Sequence, residues 1–330
     1  MIPSNLNSHQ SAAYGCTLGA LVGDAAGAVL EFWGRKLEYR DVQDALSMPG
    51  GGCFGVAPGQ ITDDGELALA LAAGLAANQG RYDVNEVARQ YVDWAASSPF
   101  DMGRATSEAL RSVQQGPAVA RSCAARAKEA SGNSKANGAL MRITPLAVAS
   151  AQWSEEEAVK YALSDAKLTH PNAACGHANA AYVLAIRHLV LTPGDAPGAV
   201  AKAREYVAGQ QTEVYGWLED ALVGELENPR ELIGFVRHGF SRAFFHLHQK
   251  SGFREALSET LAAGGDTDTN ACIVGGLIGA YRGINKLIQS SATSPMFHAV
   301  LSCDTQAGQK RPERYHSKRM LEHMRQLIAH

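Results

Sequence analysis

Apolar residues recur along this chain three or four positions apart almost from end to end, and the alternation of a β-strand is nearly absent. That pattern predicts an all-α fold. Helices are expected over residues 11–30, 66–78, 84–96, 104–114, 119–130, 140–150, 155–168, 173–190, 196–208, 213–225, 232–248, 253–262, 270–288 and 312–328. Two of them carry a glycine stripe. Gly15, Gly19, Gly23 and Gly27 recur every fourth residue, as do Gly275, Gly279 and Gly283, so each set lies on one helical face. Glycine inside a helix costs about 1 kcal/mol relative to alanine, and a repeated cost points to close backbone approach. Both helices are therefore expected to be central. Central packing would also carry Glu31, just past the first stripe, towards the loop that precedes the second; packing alone is the plainer reading of the stripes.

That loop is Gly264-Gly265-Asp266-Thr267-Asp268-Thr269-Asn270, with two carboxylates and two hydroxyls in four residues directly before an apolar run. A second acidic cluster, Thr62-Asp63-Asp64-Gly65-Glu66, opens onto another apolar helix far upstream. Neither contains His or Cys, so the pair offers the oxygen ligands that Mg²⁺ takes rather than those zinc prefers. If the loops meet, Asp63, Asp64, Asp266 and Asp268 put four charges into one space. Each like-charge pair about 4 Å apart costs on the order of 4 kcal/mol at an effective dielectric near 20, so two divalent cations would be the natural complement. Asp and Thr are also good helix N-caps, and capping accounts for one or two residues in each loop. It does not account for both loops, because a cap uses one oxygen per helix.

Composition narrows the setting. A chain of 330 residues with 46% hydrophobic positions can bury a sizeable core, and the soft stretches at 191–197 and 290–295 are short enough to be loops. One domain over 1–330 is expected, with its core at about 11–288 and a last helix at 312–328. A net charge of −3 with scattered basic residues argues against nucleic acid as a partner and for a small ligand. The six cysteines show no paired spacing and read as reduced core thiols. Residues 1–10 are polar without a basic stretch, so cytoplasm is the expected compartment. Residues 12–30 are nearly all apolar or small, but Asp24 lies among them, and a charge at mid-span costs roughly 3 kcal/mol; no membrane association is expected.

Smaller constellations stand before other helices. Phe100-Asp101-Met102-Gly103 contains an acid that could be a cap. Asn137-Gly138-Ala139-Leu140-Met141-Arg142 is a turn whose free amides could hold an anion such as a diphosphate. Thr169-His170 opens a long helix, where a lone histidine is commonly structural. Glu66 reads as structural, and His238, His246 and His248 form no metal-spaced set. No nucleophile elbow, P-loop or dinucleotide fingerprint is present.

Together these motifs, with Gly23-Asp24-Ala25-Ala26-Gly27 ending in Glu31, resemble the ADP-ribosylglycohydrolases in residues, order and spacing over about 11–288. Arg311-Pro312-Glu313-Arg314-Tyr315 is a weaker match to a motif before that family's last helix. The resemblance implies a compact all-α fold with two Mg²⁺ or Mn²⁺ ions at the base of a cleft. Thr62, Asp63, Asp64, Asp266, Asp268 and Thr269 match its metal ligands, and Thr267 would point away. It implies ADP-ribose joined to a protein side chain as substrate, released as free ADP-ribose; a monomer is the separate expectation for the chain. The Phe-Asp-x-Gly motif looks most like the arginine-specific branch, which makes Asp101 an acid/base candidate. Glu31 matches an acid assigned gating or catalysis in the serine-specific branch, and both stay in contention. Asn137, Gly138, Ala139, Leu140 and Met141 would hold the diphosphate, and His170 would border the ribose or phosphate. O-linked substrates, seryl-ADP-ribose or O-acetyl-ADP-ribose, and a non-catalytic ADP-ribose reader are the alternatives. Gly65-Glu66 departs from relatives that carry Thr, a polar residue and Met there.

Overall fold

The computed structural model describes residues 2–328, and among them it holds seventeen α-helices, three short 3₁₀ turns and two isolated β-bridges. Apolar faces from nearly all the helices meet in one shared core. Val84–Ala96 and Ala196–Ala208 have the predicted bounds.

Departures from the predicted pattern have local causes. The expected helix 270–288 is two, Thr267–Arg282 and Ile284–Gln289, parted at Gly283, whose φ of 72° no continuing helix can accommodate. Gly283 is thus not part of the second stripe; it turns the chain against Ser11. The helix expected from 232 starts only at Val236, because Leu232 and Gly234 are left-handed, with φ of 51° and 82°. The one expected over 140–150 shortens to Thr144–Ala149, with Pro145 in its first turn where the missing N–H is harmless. The same use of Pro295 starts a helix, Ser294–Ser302, where the sequence suggests a loop. Tyr39–Ala45 is a further unpredicted helix, and the last helix is only Met320–Leu327, preceded by 3₁₀ turns.

The two glycine helices, Ser8–Gly27 and Thr267–Arg282, lie against each other, antiparallel, at the centre. A Cβ added at Gly15 would strike the carbonyl of Gly279; at Gly19, that of Gly275; at Gly23, that of Ala271; and at Gly27, the backbone of Asp268. Backbone contact along this seam is the return for the helix propensity the glycines give up. Thr267 Oγ1 donates to the Gly27 carbonyl at 2.9 Å, joining residues 240 apart in sequence. The antiparallel register brings the end of the first helix, with Asp24 in its last turn and Glu31 just past it, onto the start of the second, with Asp266 at its N-cap position and Asp268 in its first turn. The first helix is buried from Ser11 to Gly27, and no helix among the described residues is long and apolar enough to cross a membrane. All six cysteines are free; five are buried, while Cys53 is exposed and so lies outside the expected core set.

Candidate active site

Asp24 organises the first acidic loop from inside the glycine seam. Fully buried, it accepts hydrogen bonds from the Thr62 amide at 3.0 Å, the Thr62 hydroxyl at 2.9 Å and the Gly65 amide at 2.9 Å. These are amides at the start of the helix Asp63–Ala77, so a carboxylate from another helix does the capping and Thr62 itself does not. A Cβ at residue 65 would lie 2.7 Å from Asp24 Oδ2, which explains glycine there. Asp63 is thereby left to face the neighbouring cavity, while Asp64, buried just behind it, turns its carboxylate to the Thr62 and Thr269 hydroxyls, each 3.3 Å away.

The second loop behaves alike. Gly264 and Gly265 take φ of 77° and 79°, a tight left-handed turn, and Asp266 stands at the N-cap position of Thr267–Arg282 without capping it. Its carboxylate accepts from Asn137 Nδ2 at 2.8 Å instead. Asp268 accepts from the Thr269 amide at 2.8 Å, and the Thr269 hydroxyl lies 3.3 Å from Asp64 Oδ2, directly linking the two loops. Thr267 points away, to Gly27. Capping therefore does not explain these clusters.

The loops meet at a cavity of about 260 Å³ whose walls include Glu31, Asp63, Asp101, Asp266 and Asp268. Oxygens of Glu31, Asp101 and Asp268 approach within 4.8 Å of one another, and so do those of Asp24, Asp64 and Asp268, which makes Asp268 common to both sets. Burial raises the Asp24 carboxyl to about 7 and, reinforced by the charges of Asp101 and Asp266, the Glu31 carboxyl to about 8. Burial first, and neighbouring carboxylates second, hold Asp63, Asp64 and Asp268 well above the ordinary range. Asp101, half-buried, is raised by burial, and two residues on, the Gly103 amide donates to Asp63 Oδ2 at 3.4 Å, tying the turn that bears Asp101 to the first acidic loop. The cation on the wall, Arg104, reaches Glu108 at 3.9 Å instead of these acids. Glu31 Oε2 and Asp64 Oδ1 are buried with no hydrogen-bond partner. A cluster of oxygens short of positive charge and with orphaned acceptors suits hard divalent cations.

Across the cavity stands the turn after Ala136. Leu140 and Met141 spend their amides on the Asn137 carbonyl, at 2.8 and 3.2 Å. Asn137, Gly138 and Met141 line the cavity, while Ala139 and Leu140 are buried behind it. Arg142 braces the turn from the core: it donates to the Gly138 carbonyl at 3.3 Å, pairs with Asp165 at 3.1 Å and lies 4.4 Å from the Tyr91 ring. His170 also lines the cavity; its Nδ1 is 2.8 Å from the Thr169 hydroxyl, and its ring covers Gly138 so tightly that a Cβ there would lie 2.7 Å from Cε1. Burial, then Arg142, lowers its pKa to about 3, so the ring is neutral.

Sequence reasoning missed Asp24 as a site residue, although the signal was present: a carboxylate inside a run of small apolar residues needs a strong reason to be there. The aromatic rim was missed as well. Phe32, Phe54 and Phe100 form an edge-to-face chain, with centroids 6.2 and 5.7 Å apart, beside Glu31 and Asp101. A larger groove of about 900 Å³, lined by Val159, Leu163 and Tyr206 among others, lies apart from the carboxylates.

The profile of the ADP-ribosylglycohydrolase family matches residues 5–301. Over 314 residues, 87% of this chain and 89% of the other, the sequence is 30% identical to a candidate ADP-ribosyl glycohydrolase of Acanthamoeba polyphaga mimivirus. It is 27% identical to the ADP-ribosyl-[dinitrogen reductase] glycohydrolase of Rhodospirillum rubrum, covering 83% of this chain and 87% of that one. It is 28% identical to an ADP-ribosylarginine hydrolase of Pseudomonas putida, covering 83% and 71%. A solved ADP-ribosylglycohydrolase-related protein complex contains a chain of the same fold, with a TM-score of 0.70 at 23% identity over 98% of this chain and 99% of that one.

Proposed function

The chain belongs to the ADP-ribosylglycohydrolase family, and from that premise we propose that it hydrolyses the C1″ bond joining ADP-ribose to an arginine side chain of a protein, with two Mg²⁺ or Mn²⁺ ions bound in the carboxylate cavity. The observation that carries this is the meeting of Asp101 and Glu31 with the paired acidic loops in one cavity, with Asp268 common to both carboxylate triads. Thr62, Asp63, Asp64, Asp266, Asp268 and Thr269 would hold the ions, with Asp24 close behind. Bound there, such ions supply Lewis acidity towards ribose hydroxyls and an attacking water.

The remaining work falls to the chain itself. A guanidine leaves readily only when its nitrogen is protonated, and the raised Asp101 carboxyl is an acid placed at the cavity wall to give that proton. The proton that the attacking water gives up would restore the acid after each turnover. The amides of Gly138 and Ala139, not spent within the turn, would be available to a diphosphate, and neutral His170 would border it without adding charge. The name of the Pseudomonas relative supports the arginine linkage, and that of the Rhodospirillum relative supports a protein as the carrier of the ADP-ribose.

Peptides ADP-ribosylated on arginine or on serine, incubated with the protein in Mg²⁺ or in EDTA, test the reading. Free ADP-ribose is expected from the arginine peptide in Mg²⁺ only. Release from the serine peptide alone would replace the linkage, binding without release would make the protein a reader, and release undiminished by EDTA would remove the ions.

A further inference from the structure

Glu66 is paired with a residue from beyond the family match, which ends at 301. Arg311 is buried in the C-terminal segment and spends its whole guanidinium on two pieces of the site. Its Nε is 2.8 and 3.1 Å from the two oxygens of Glu66; its Nη2 reaches Glu66 Oε2 at 2.8 Å and the Ser97 hydroxyl at 2.7 Å. Its Nη1 donates to the carbonyls of Ser97 at 2.8 Å and Ser98 at 3.1 Å. All five N–H groups are thus engaged. Trp94 Nε1 completes the Glu66 carboxylate at 2.7 Å.

Glu66 stands in the first turn of the helix that opens with Asp63 and Asp64. Ser97 and Ser98 lead through Pro99 and Phe100 to Asp101, and Ser98 holds a left-handed φ of 55°, a conformation that costs a non-glycine residue on the order of 1 kcal/mol and needs holding. One planar fork therefore fixes the separation between the helix bearing Asp63 and the turn bearing Asp101, which also meet where the Gly103 amide donates to Asp63 Oδ2 at 3.4 Å. We infer that Arg311 is a positioning residue for Asp101, with Glu66 as the counter-ion that allows its burial. The inference rests on the assignment of Asp101 as the acid.

Arg311→Met alone strands a buried carboxylate and risks the fold, so the informative variant is the double change Glu66→Gln with Arg311→Met, which removes both charges. Its melting temperature is expected near that of the wild type and its ADP-ribose affinity unchanged. Its kcat on the arginine peptide should fall at least about tenfold with little change in KM, because only alignment is lost. Arg311→Lys, which keeps the charge but not the fork, should lose kcat likewise. Amide exchange of the segment 97–103 should quicken in the double variant while that of the helix Asp63–Ala77 holds. A double variant with wild-type kcat, or with unchanged exchange over 97–103, overturns the inference. Wild-type turnover on the peptide reports on the reaction alone, and exchange, which needs no substrate, reports on the brace alone.

Discussion

Asp268 is the residue on which the two carboxylate triads converge, so its charge serves both at once. Asp268→Asn keeps the shape and removes that charge. Hydrolysis should fall by about three orders of magnitude or more, and calorimetric Mg²⁺ affinity should drop with it. Asp101→Asn predicts a different signature: kcat lower by about 10²- to 10⁴-fold with ADP-ribose affinity retained, since the acid acts only as the bond breaks. Equal loss of ADP-ribose binding would remove its acid role. At this scale most of the site was legible, because Asp-Asp and Asp-Thr-Asp at helix starts are excessive for capping. Asp24 was not, because its work depends on which amides a partner helix presents. Nor was the difference between Gly138 and Leu140, since only the folded turn shows which faces the cavity and which the core.

Helical periodicity located nearly all the elements, for the apolar faces are what build the core. Ends were less legible. They fall where single residues accept left-handed φ, as Leu232 does, or where proline starts rather than stops a helix, as at Pro145 and Pro295. The glycine stripes carried long-range information that periodicity alone lacks, naming the two helices that touch. Gly23→Ala tests that seam. Its methyl would enter the Ala271 carbonyl, and overpacking of this kind costs about 1–3 kcal/mol or more. Thermal melting should show the loss, and activity should fall further than stability because Asp24 is pried from Asp268. Gly216→Ala is the control: it lies in the first turn of the helix Val214–Leu222 with nothing within 4 Å, and should leave the protein unchanged or stabilised by about 0.4–1 kcal/mol.

Over the whole molecule, buried ionisable groups set opposing pH dependences. His246, lowered to about 4 chiefly by burial, is neutral in the fold. Its contribution is full above the unfolded value near 6.5 and is lost as pH falls towards about 4, which amounts to about 2 kcal/mol by pH 5. The raised acidic carboxyls act in the other direction, their stabilising protons being lost as pH climbs through about 7 for Asp24 and about 8 for Glu31. A double difference isolates the histidine: His246→Gln should shrink the loss of unfolding free energy between pH 7 and pH 5 by about 1–2 kcal/mol relative to wild type, measured by urea titration. An unaltered pH slope would mean the ring titrates normally in the fold.

The hydrogen bond between Thr267 and Gly27 spans 240 residues, and the seam around it is the centre of the molecule. During synthesis the early helix has to wait, its bare backbone flank uncovered, until the ribosome has delivered almost everything that follows. A closing step of such reach is slow and leaves the nascent protein exposed to aggregation meanwhile. Assembly of the reactive centre is thereby tied to completion of the polypeptide, so a prematurely terminated product lacking the second strip has no partial activity to offer.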